Sequence, residues 1–188
     1  MLFESNRIRL RKMSLGDVEL YHSWRNDIDV MNSTNPLLDV YSLEETREFV
    51  EEVIVNSRSS KSYMIEEKNR DNAIGITSLV EIDLKNRNAE CIIDIGEKEF
   101  WGKGYGREAL LLLLEYAFLE LNLHRISLKV FAFNERAVGL YSRIGFKREG
   151  ISRQALYRNG KWHDIVHMGI LKQEYFLKIG EREKDDGT

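Results

Sequence analysis

The 188-residue sequence has one cysteine, one proline and no excess of basic residues. A single cysteine cannot form a disulfide within the chain. Because Cys91 lies in an apolar run, we expect it to be a buried structural thiol rather than a nucleophile. The formal net charge of −3 argues against a nucleic-acid partner, which would need a dense basic face. These shortages exclude an internal disulfide framework and disfavour a nucleic-acid-binding domain.

Long apolar segments are also missing. The longest purely apolar run, Ala109 to Leu114, is far shorter than the roughly 20 residues that a membrane span needs. The opening stretch MLFESNRIRLRK contains no apolar signal segment. We therefore expect a cytoplasmic protein without a membrane partner, and the sequence leaves open whether it forms a homo-oligomer.

The sequence shows no spacing that is typical of a metal site or of a serine hydrolase. It has no zinc motif and no G-x-S-x-G elbow. His163 and His167 share a strand face, but four residues along a strand separate them by about 13 Å. We therefore expect no metal cofactor.

The composition is that of a folded domain, with 43% apolar and 31% charged residues. We predict a single domain over residues 1–176 and a charged, disordered tail over residues 177–188. Hydrophobic periodicity and turn residues predict the element order β-α-α-β-β-β-α-β-α-β-β. This order predicts an α+β fold of three layers, in which helices flank a mixed, mostly antiparallel central sheet.

Local patterns also predict where some elements begin and end. An apolar stripe at helical spacing predicts one helix over Ser14 to Met31, and Ser42 with Glu45 predicts a capping box at the start of the next helix. The pair Asn159-Gly160 predicts a hairpin turn between the last two strands.

The stretch EFWGKGYGREALLLLLEYAF, residues 99–118, places three glycines directly before a leucine-rich helix. Such a turn leaves backbone N–H groups unpaired at the positive end of the helix dipole. This arrangement favours an anion, most naturally a phosphate. A Walker A motif would have Ser or Thr after Lys103, where Gly104 stands, and a dinucleotide fingerprint would have a different glycine spacing. Neither nucleotide class fits.

The segments AECIIDIG, WGKGYGREA and NERAVGLYSRIGFKREG together resemble the GNAT superfamily of N-acetyltransferases. More narrowly, they are similar to the branch of ribosomal-protein N-terminal acetyltransferases and bacterial spermidine N-acetyltransferases. The resemblance covers roughly residues 5–176. It implies a GNAT-like three-layer fold and acetyl-CoA as the co-substrate, with the cofactor's pyrophosphate held by the glycine turn.

The resemblance also implies which residues contact acetyl-CoA. They belong to one strand, to the glycine turn and to the start of a later helix: Ile92, Ile93, Asp94, Trp101, Gly102, Lys103, Gly104, Tyr105, Gly106, Arg107 and Asn134. The strand residues are expected to contribute main-chain contacts. Trp101 stands where the family most often has Gln or Arg. Asn134 is also expected to cap its helix.

Acetyl transfer to an amine needs a proton acceptor, because an alkylammonium has a pKa near 10.4. Strand alternation places Glu90, Ile92 and Asp94 on one side of their strand. Glu90 is the first candidate for the general base, and the alternative is a surface carboxylate paired with Arg87. Glu81 is the second candidate, and its alternative is a solvated strand edge.

The reaction also needs N–H donors for the oxyanion and a proton donor for the departing thiolate. The resemblance implies that a main-chain N–H of the strand containing Ile92 to Asp94 polarises the thioester carbonyl. It implies that Tyr141, in NERAVGLYSRIGF, is the general acid beside the sulfur. The alternative for Tyr141 is an aromatic residue that packs with Leu140 and Phe146.

The acceptor is less clearly indicated than the donor. SLVEIDLKNRNAECIIDI and YRNGKWHDIVHM resemble the spermidine acetyltransferases, whereas WRNDIDVMNSTNP also resembles the wider branch. One predicted helix carries acidic residues that form either a polycation site or a solvated face: Glu44, Glu45, Glu48, Glu51 and Glu52. We predict an N-acetyltransferase for a polyamine such as spermidine. Acetylation of a protein N-terminus or another small amine is the alternative, and a non-catalytic acyl-CoA-binding module is a remote one.

Overall fold

A mixed sheet of seven strands forms the centre of the molecule. The computed structural model describes residues 2–185, with side chains up to residue 180. The strands lie in the order β1-β2-β3-β4-β5-β7-β6, and every neighbouring pair is antiparallel except β4 and β5. Their bounds are β1 Ile8–Lys12, β2 Lys61–Glu67, β3 Asn72–Asp83, β4 Asn88–Ile95, β5 Arg125–Phe131, β6 Lys147–Arg158 and β7 Lys161–Leu171. The predicted α+β fold with a mostly antiparallel sheet is confirmed.

Six α-helices accompany the sheet in the described part of the chain. They are α1 Val18–Arg25, α2 Ile28–Met31, α3 Leu43–Phe49, α4 Tyr105–Glu115, α5 Glu135–Ile144 and α6 Lys172–Asp185. Short π-helical segments continue α3 over Val50–Val55 and α4 over Tyr116–Glu120.

The helices cover both faces of the sheet and give three layers. On one face, α1 to α3 bury Val18, Trp24 and Val50 against Met64 and Ile76 of the sheet. On the other face, α4 and α5 pack in the larger core, and the leucines of α4 are almost completely buried. Because β4 alternates, Asp94 shares the face of its cross-strand partner Ile76, which is the α1–α3 face.

Local signals explain where several helices begin and where one prediction was wrong. The predicted capping box of Ser42 and Glu45 is confirmed at the start of α3. The apolar stripe of residues 14–31 is not one helix, because Asp27 adopts an extended conformation and caps α2 through the N–H of Asp29.

The end of the chain also differs from the prediction. Helix α6 covers residues 172–185, so most of the tail predicted to be disordered is helical. Its first turn is held by buried Tyr175, whose ring centroid lies 5.2 Å from that of Phe118. The predicted tail residues 186–188 lie outside the described residues.

Candidate active site

The parallel strands β4 and β5 pair over only three residues, and their separation creates a cleft. Residues 88–90 of β4 pair with residues 125–127 of β5, and beyond Glu90 the strands diverge. The space between them is a cleft of about 550 Å³. Main-chain groups on this edge of β4 have lost their neighbouring strand, so they are left to bind a ligand or water.

The glycine turn lies at one end of this cleft. Gly102 and Gly104 have φ angles of +73° and +87°, a conformation that favours glycine. Gly104 is the N-cap of α4 and lines the cleft with the first residues of the helix. The first N–H groups of a helix have no intrahelical partner, so the turn has the geometry to accept an anion.

Arg7 fixes this turn from outside and was not predicted. Its guanidinium binds the Glu108 carboxylate at 2.6 Å, donates to the Lys103 carbonyl at 3.1 Å and lies 4.4 Å from the Tyr105 ring centroid. Glu108 also accepts a short hydrogen bond from Ser5. Arg7 therefore links the start of β1 to the turn and to the first turn of α4. The long sequence separation hides this contact from periodicity and spacing.

The cleft brings together most of the residues predicted for the site. Those that line it are Glu90, Ile92, Ile93, Asp94, Trp101, Gly102, Gly104, Tyr105, Gly106, Arg107, Asn134 and Tyr141. Lys103 instead lines a separate small cavity with Glu67 and Arg70. Glu81 is exposed on β3 and is not part of the cleft lining.

Glu90 has a different partner from the one considered in the sequence. Its Oε2 lies 2.8 Å from the Nζ of Lys129 on β5, whereas Arg87 binds Asn122. The hydrogen bond that Lys129 donates to Glu90 raises the pKa of Lys129, and the charge of the carboxylate raises it further, whereas burial lowers it. Lys129 thus holds the first candidate base at the point where β4 and β5 part.

Tyr141 lies in α5, is 9% exposed and lines the cleft. Burial raises the pKa of Tyr141, and the nearby Cys91 and Asp94 raise it further. The phenol therefore keeps its proton throughout the neutral pH range. Its ring also packs against Phe146, with centroids 5.9 Å apart, so the packing considered for this residue coexists with its place in the cleft. Cys91 is buried and burial raises the pKa of its thiol, as expected for a structural cysteine.

Asn134 joins the two sides of the cleft. Its side-chain oxygen accepts a hydrogen bond from the N–H of Ala137 at 3.2 Å, which confirms the predicted N-cap of α5. Its amide nitrogen donates to the Ser33 carbonyl at 3.4 Å. The segment that follows α2 therefore closes the α1–α3 side of the cleft, a contribution that the sequence did not indicate.

Asp94 is the one acidic side chain of the cleft with an unsatisfied oxygen. Its Oδ1 is buried and has no hydrogen-bond partner in the described structure. Burial raises the pKa of Asp94 to about 6, and a hydrogen bond with Thr34 acts in the opposite direction. From the sequence, only main-chain contacts were expected of this residue.

The acidic residues of α3 and its π-helical extension do not line the cleft. Their side chains are exposed, and Glu45 is used in the capping box: Glu44, Glu45, Glu48, Glu51 and Glu52. The structure thus favours the solvated face over the polycation site. Among residues 2–185, no group of His, Cys, Asp and Glu is placed to hold a metal ion, and no helix has the length and apolarity to cross a membrane.

A helix start with open N–H groups beside a gap between two parallel strands is the arrangement that we expect of an acyl-CoA-dependent transferase. In agreement, residues 7–147 match the family model described as "Acetyltransferase (GNAT) domain", and the chain belongs to this family. The predictions of the GNAT fold and of an acetyltransferase are confirmed.

Individual relatives narrow the comparison. The chain is 31% identical to the spermidine N(1)-acetyltransferase of Vibrio cholerae, with 91% of this chain and 96% of the relative covered. A crystal structure of spermidine N-acetyltransferase from that organism, in complex with CoA and spermine, superposes with a TM-score of 0.84 over 92% of this chain and 99% of that one. The sequence identity of that pair is 31%. The Bacillus subtilis protein YdaF, a candidate ribosomal N-acetyltransferase, is 43% identical over 54% of this chain and 55% of its own.

Proposed function

We propose that this protein transfers the acetyl group of acetyl-CoA to an amino group of a polyamine such as spermidine. The observation that carries the proposal is the cleft between β4 and β5. The open N–H groups of the glycine turn lie at one end of it, and the carboxylates of Glu90 and Asp94 lie on the α1–α3 face of β4. A CoA thioester and a cationic amine need these two environments. Similarity to spermidine acetyltransferases over nearly the whole chain supports the choice of acceptor.

The residues around the turn fit the phosphates of acetyl-CoA. The open N–H groups of the first turn of α4 suit a pyrophosphate, and Gly102 and Gly104 allow it to approach the backbone. Arg107 and Arg136 also line the cleft and supply positive charge. The Arg136 guanidinium lies 5.0 Å from the Trp101 ring centroid, and the Trp101 indole donates to the Ile95 carbonyl at 2.7 Å. The turn is therefore braced against both α5 and β4.

The acceptor is expected on the opposite side, between β4 and the segment after α2. In the proposed reaction, Glu90, or Glu81 outside the cleft lining, receives a proton from the ammonium, directly or through water. The neutral amine then attacks the thioester carbonyl, and a free N–H of β4 stabilises the resulting oxyanion. When the C–S bond breaks, Tyr141 donates a proton to the thiolate, and the second proton that the nitrogen loses passes through water to Tyr141.

The raised pKa of Tyr141 affects this last step. A free thiol has a pKa of about 8.5, so complete proton transfer from a buried phenol is uphill. We therefore expect the Tyr141 hydroxyl to donate a strong hydrogen bond as negative charge develops on sulfur. Full transfer becomes easier when a bound cation offsets the charge of Asp94, one cause of the raised pKa.

Acetylation of a protein or peptide N-terminus is the second candidate function. It is favoured by the 43% identity to the candidate ribosomal N-acetyltransferase of Bacillus subtilis, although only about half of each chain is covered. Such an acceptor presents a single amino group on a polypeptide, so it needs an open approach rather than several anionic contacts.

A panel of acceptors tests the proposal. Spermidine, spermine, simple primary amines and N-terminal peptides are incubated with acetyl-CoA, and CoA thiol release is followed. We expect the highest kcat/KM with spermidine or spermine. A peptide that reacts while both polyamines remain at background would replace the polyamine assignment. If no acceptor of the panel causes thiol release, a non-catalytic acyl-CoA-binding module would be favoured.

A further inference from the structure

The buried carboxylate of Asp94 is not satisfied by the protein itself. Within the described part of the chain, its Oδ1 is buried without a hydrogen-bond partner, and a hydrogen bond with Thr34 stabilises the charged form. Burying a carboxylate without a cation is costly. The other acidic residue of the cleft, Glu90, already has its cation in Lys129. Asp94 therefore has an unfilled requirement for positive charge.

The position of Asp94 shows from which side that charge would come. Its side chain lies on the α1–α3 face of β4, and it acts electrostatically on Tyr21 of α1 and Tyr141 of α5. Both phenols have raised pKa values and remain neutral. The glycine turn, the proposed place of the phosphates, is an anion site at the end of the cleft. An anionic ligand would be repelled by Asp94, whereas an ammonium would be attracted.

We propose that Asp94 binds the ammonium group of the acceptor and thereby selects cationic amines. This inference rests on the proposed function only in taking the acceptor to be an amine. The bound ammonium would supply the missing partner of Oδ1 and would lie in the same part of the cleft as Tyr141. Glu90 would then be free to act in proton transfer, because binding and deprotonation fall to different carboxylates.

Isothermal titration calorimetry of CoA-saturated protein tests this assignment. Asp94→Asn keeps the size of the side chain and removes its charge. We expect it to weaken spermidine binding about tenfold or more, because one partner of a buried charge pair is lost. The affinity for CoA, measured separately, should stay within about twofold, because the main chain at residue 94 is retained.

Asp71→Asn is the matched control. It removes the same charge from an exposed position, where the Asp71 side chain is 74% accessible and pairs with Arg9. Asn also tolerates its positive φ of 56°. Spermidine affinity should not change in this variant. An equal loss in both variants, or an unchanged affinity in Asp94→Asn, would overturn the assignment.

Binding of butylammonium, a monocation, to the wild-type and Asp94→Asn proteins distinguishes a failure of this inference from a failure of the proposed function. If its binding depends on Asp94 while spermidine is not acetylated, the polyamine function fails and the ammonium site stands. If the wild-type protein binds neither cation, the ammonium site is wrong.

A second measurement uses the wild-type protein and does not depend on the folding of a variant. Carbon NMR of protein labelled at its aspartate carboxyl groups follows the titration of Asp94. Bound spermidine should shift that titration to lower pH, because an adjacent cation favours the carboxylate. An unshifted titration at saturating spermidine would contradict the proposal.

Discussion

Glu90 and Lys129 form an ion pair with an Oε2 to Nζ distance of 2.8 Å at the point where β4 and β5 separate. Glu90 is the last residue of β4 that pairs with β5, and its partner in the register is Ser127. Lys129 lies two residues farther along β5, so the ion pair crosses the start of the cleft. The Glu90 side chain is 18% exposed and its position is fixed by this contact. The protein itself therefore fixes the orientation of the first candidate base.

Glu90→Gln should lower kcat for spermidine by at least about tenfold, since a positioned general base contributes roughly 10²- to 10⁴-fold. Glu81→Gln is the matched comparison, because Glu81 is exposed and lies outside the cleft lining. We expect a smaller loss there. Steady-state kinetics of both variants at saturating acetyl-CoA provide the measurement. A larger loss of kcat in Glu81→Gln would identify Glu81, near the end of β3, as the general base.

Gly104→Val should weaken acetyl-CoA binding by at least about tenfold. Gly104 has a φ of +87°, and a side chain there would both strain the backbone and crowd the anion site. Gly160→Val is the control, because Gly160 has a φ of +75° in the distant β6–β7 turn. Each substitution should cost stability on the order of 1–2 kcal/mol. Calorimetry should then show weaker cofactor binding in the Gly104 variant alone, and equal affinities would argue against a phosphate site at the turn.

Tyr141→Phe should lower kcat at least about tenfold and leave KM for acetyl-CoA nearly unchanged. The substitution keeps the ring that packs against Phe146 and removes only the hydroxyl. The change in kcat therefore reports on proton donation rather than on packing. Near wild-type turnover in the Phe variant would leave water as the source of the proton.

Asp94→Asn should stabilise the free protein above pH 6. Burial raises the pKa of Asp94 to about 6 from an ordinary value of 3.8. The folded protein therefore holds a proton more tightly than the unfolded chain does. Asp94 therefore lowers the free energy of unfolding most above pH 6, where its carboxyl group is ionised in both the folded and the unfolded protein. This loss of stability decreases as the pH falls through 6 towards 4.

The size of this effect follows from about 1.4 kcal/mol per pKa unit, which gives on the order of 1–3 kcal/mol at pH 8. Thermal denaturation of the wild-type and Asp94→Asn proteins at pH 8 and pH 4.5 measures it. The melting temperature of the variant should be higher at pH 8, and the difference should shrink at pH 4.5. A lower melting temperature at pH 8 would show that the carboxylate has a stabilising partner.

The sequence predicted the sheet and the glycine turn because both depend on local patterns. Alternation over Asn88–Ile95 and the Asn159-Gly160 pair were sufficient to place a strand and a hairpin, and both turn residues have positive φ angles. The break between α1 and α2 was missed because the apolar stripe continues through it. The helix is interrupted because Asp27 is extended and caps α2, and the apolar spacing does not reveal this cap.

The sequence predicted which residues meet in the candidate site, but it did not predict which partners their charged side chains would have. Alternation correctly placed Glu90 and Asp94 on one side of β4. Their different environments come from Lys129 on β5 and from Thr34 after α2, which are distant in sequence. Arg7 was missed for the same reason. Ion pairs across the fold have no periodic signature, so spacing cannot reveal them.

The most direct test of polyamine acetylation is a competition assay. Spermidine and an N-terminal peptide are mixed at equal concentration with the enzyme and limiting acetyl-CoA, and mass spectrometry identifies which amine carries the acetyl group. We expect nearly all product to be acetylspermidine, and we expect the Tyr141→Phe enzyme to make it more slowly. Acetylated peptide beside unmodified spermidine would rule out a polyamine as the preferred acceptor.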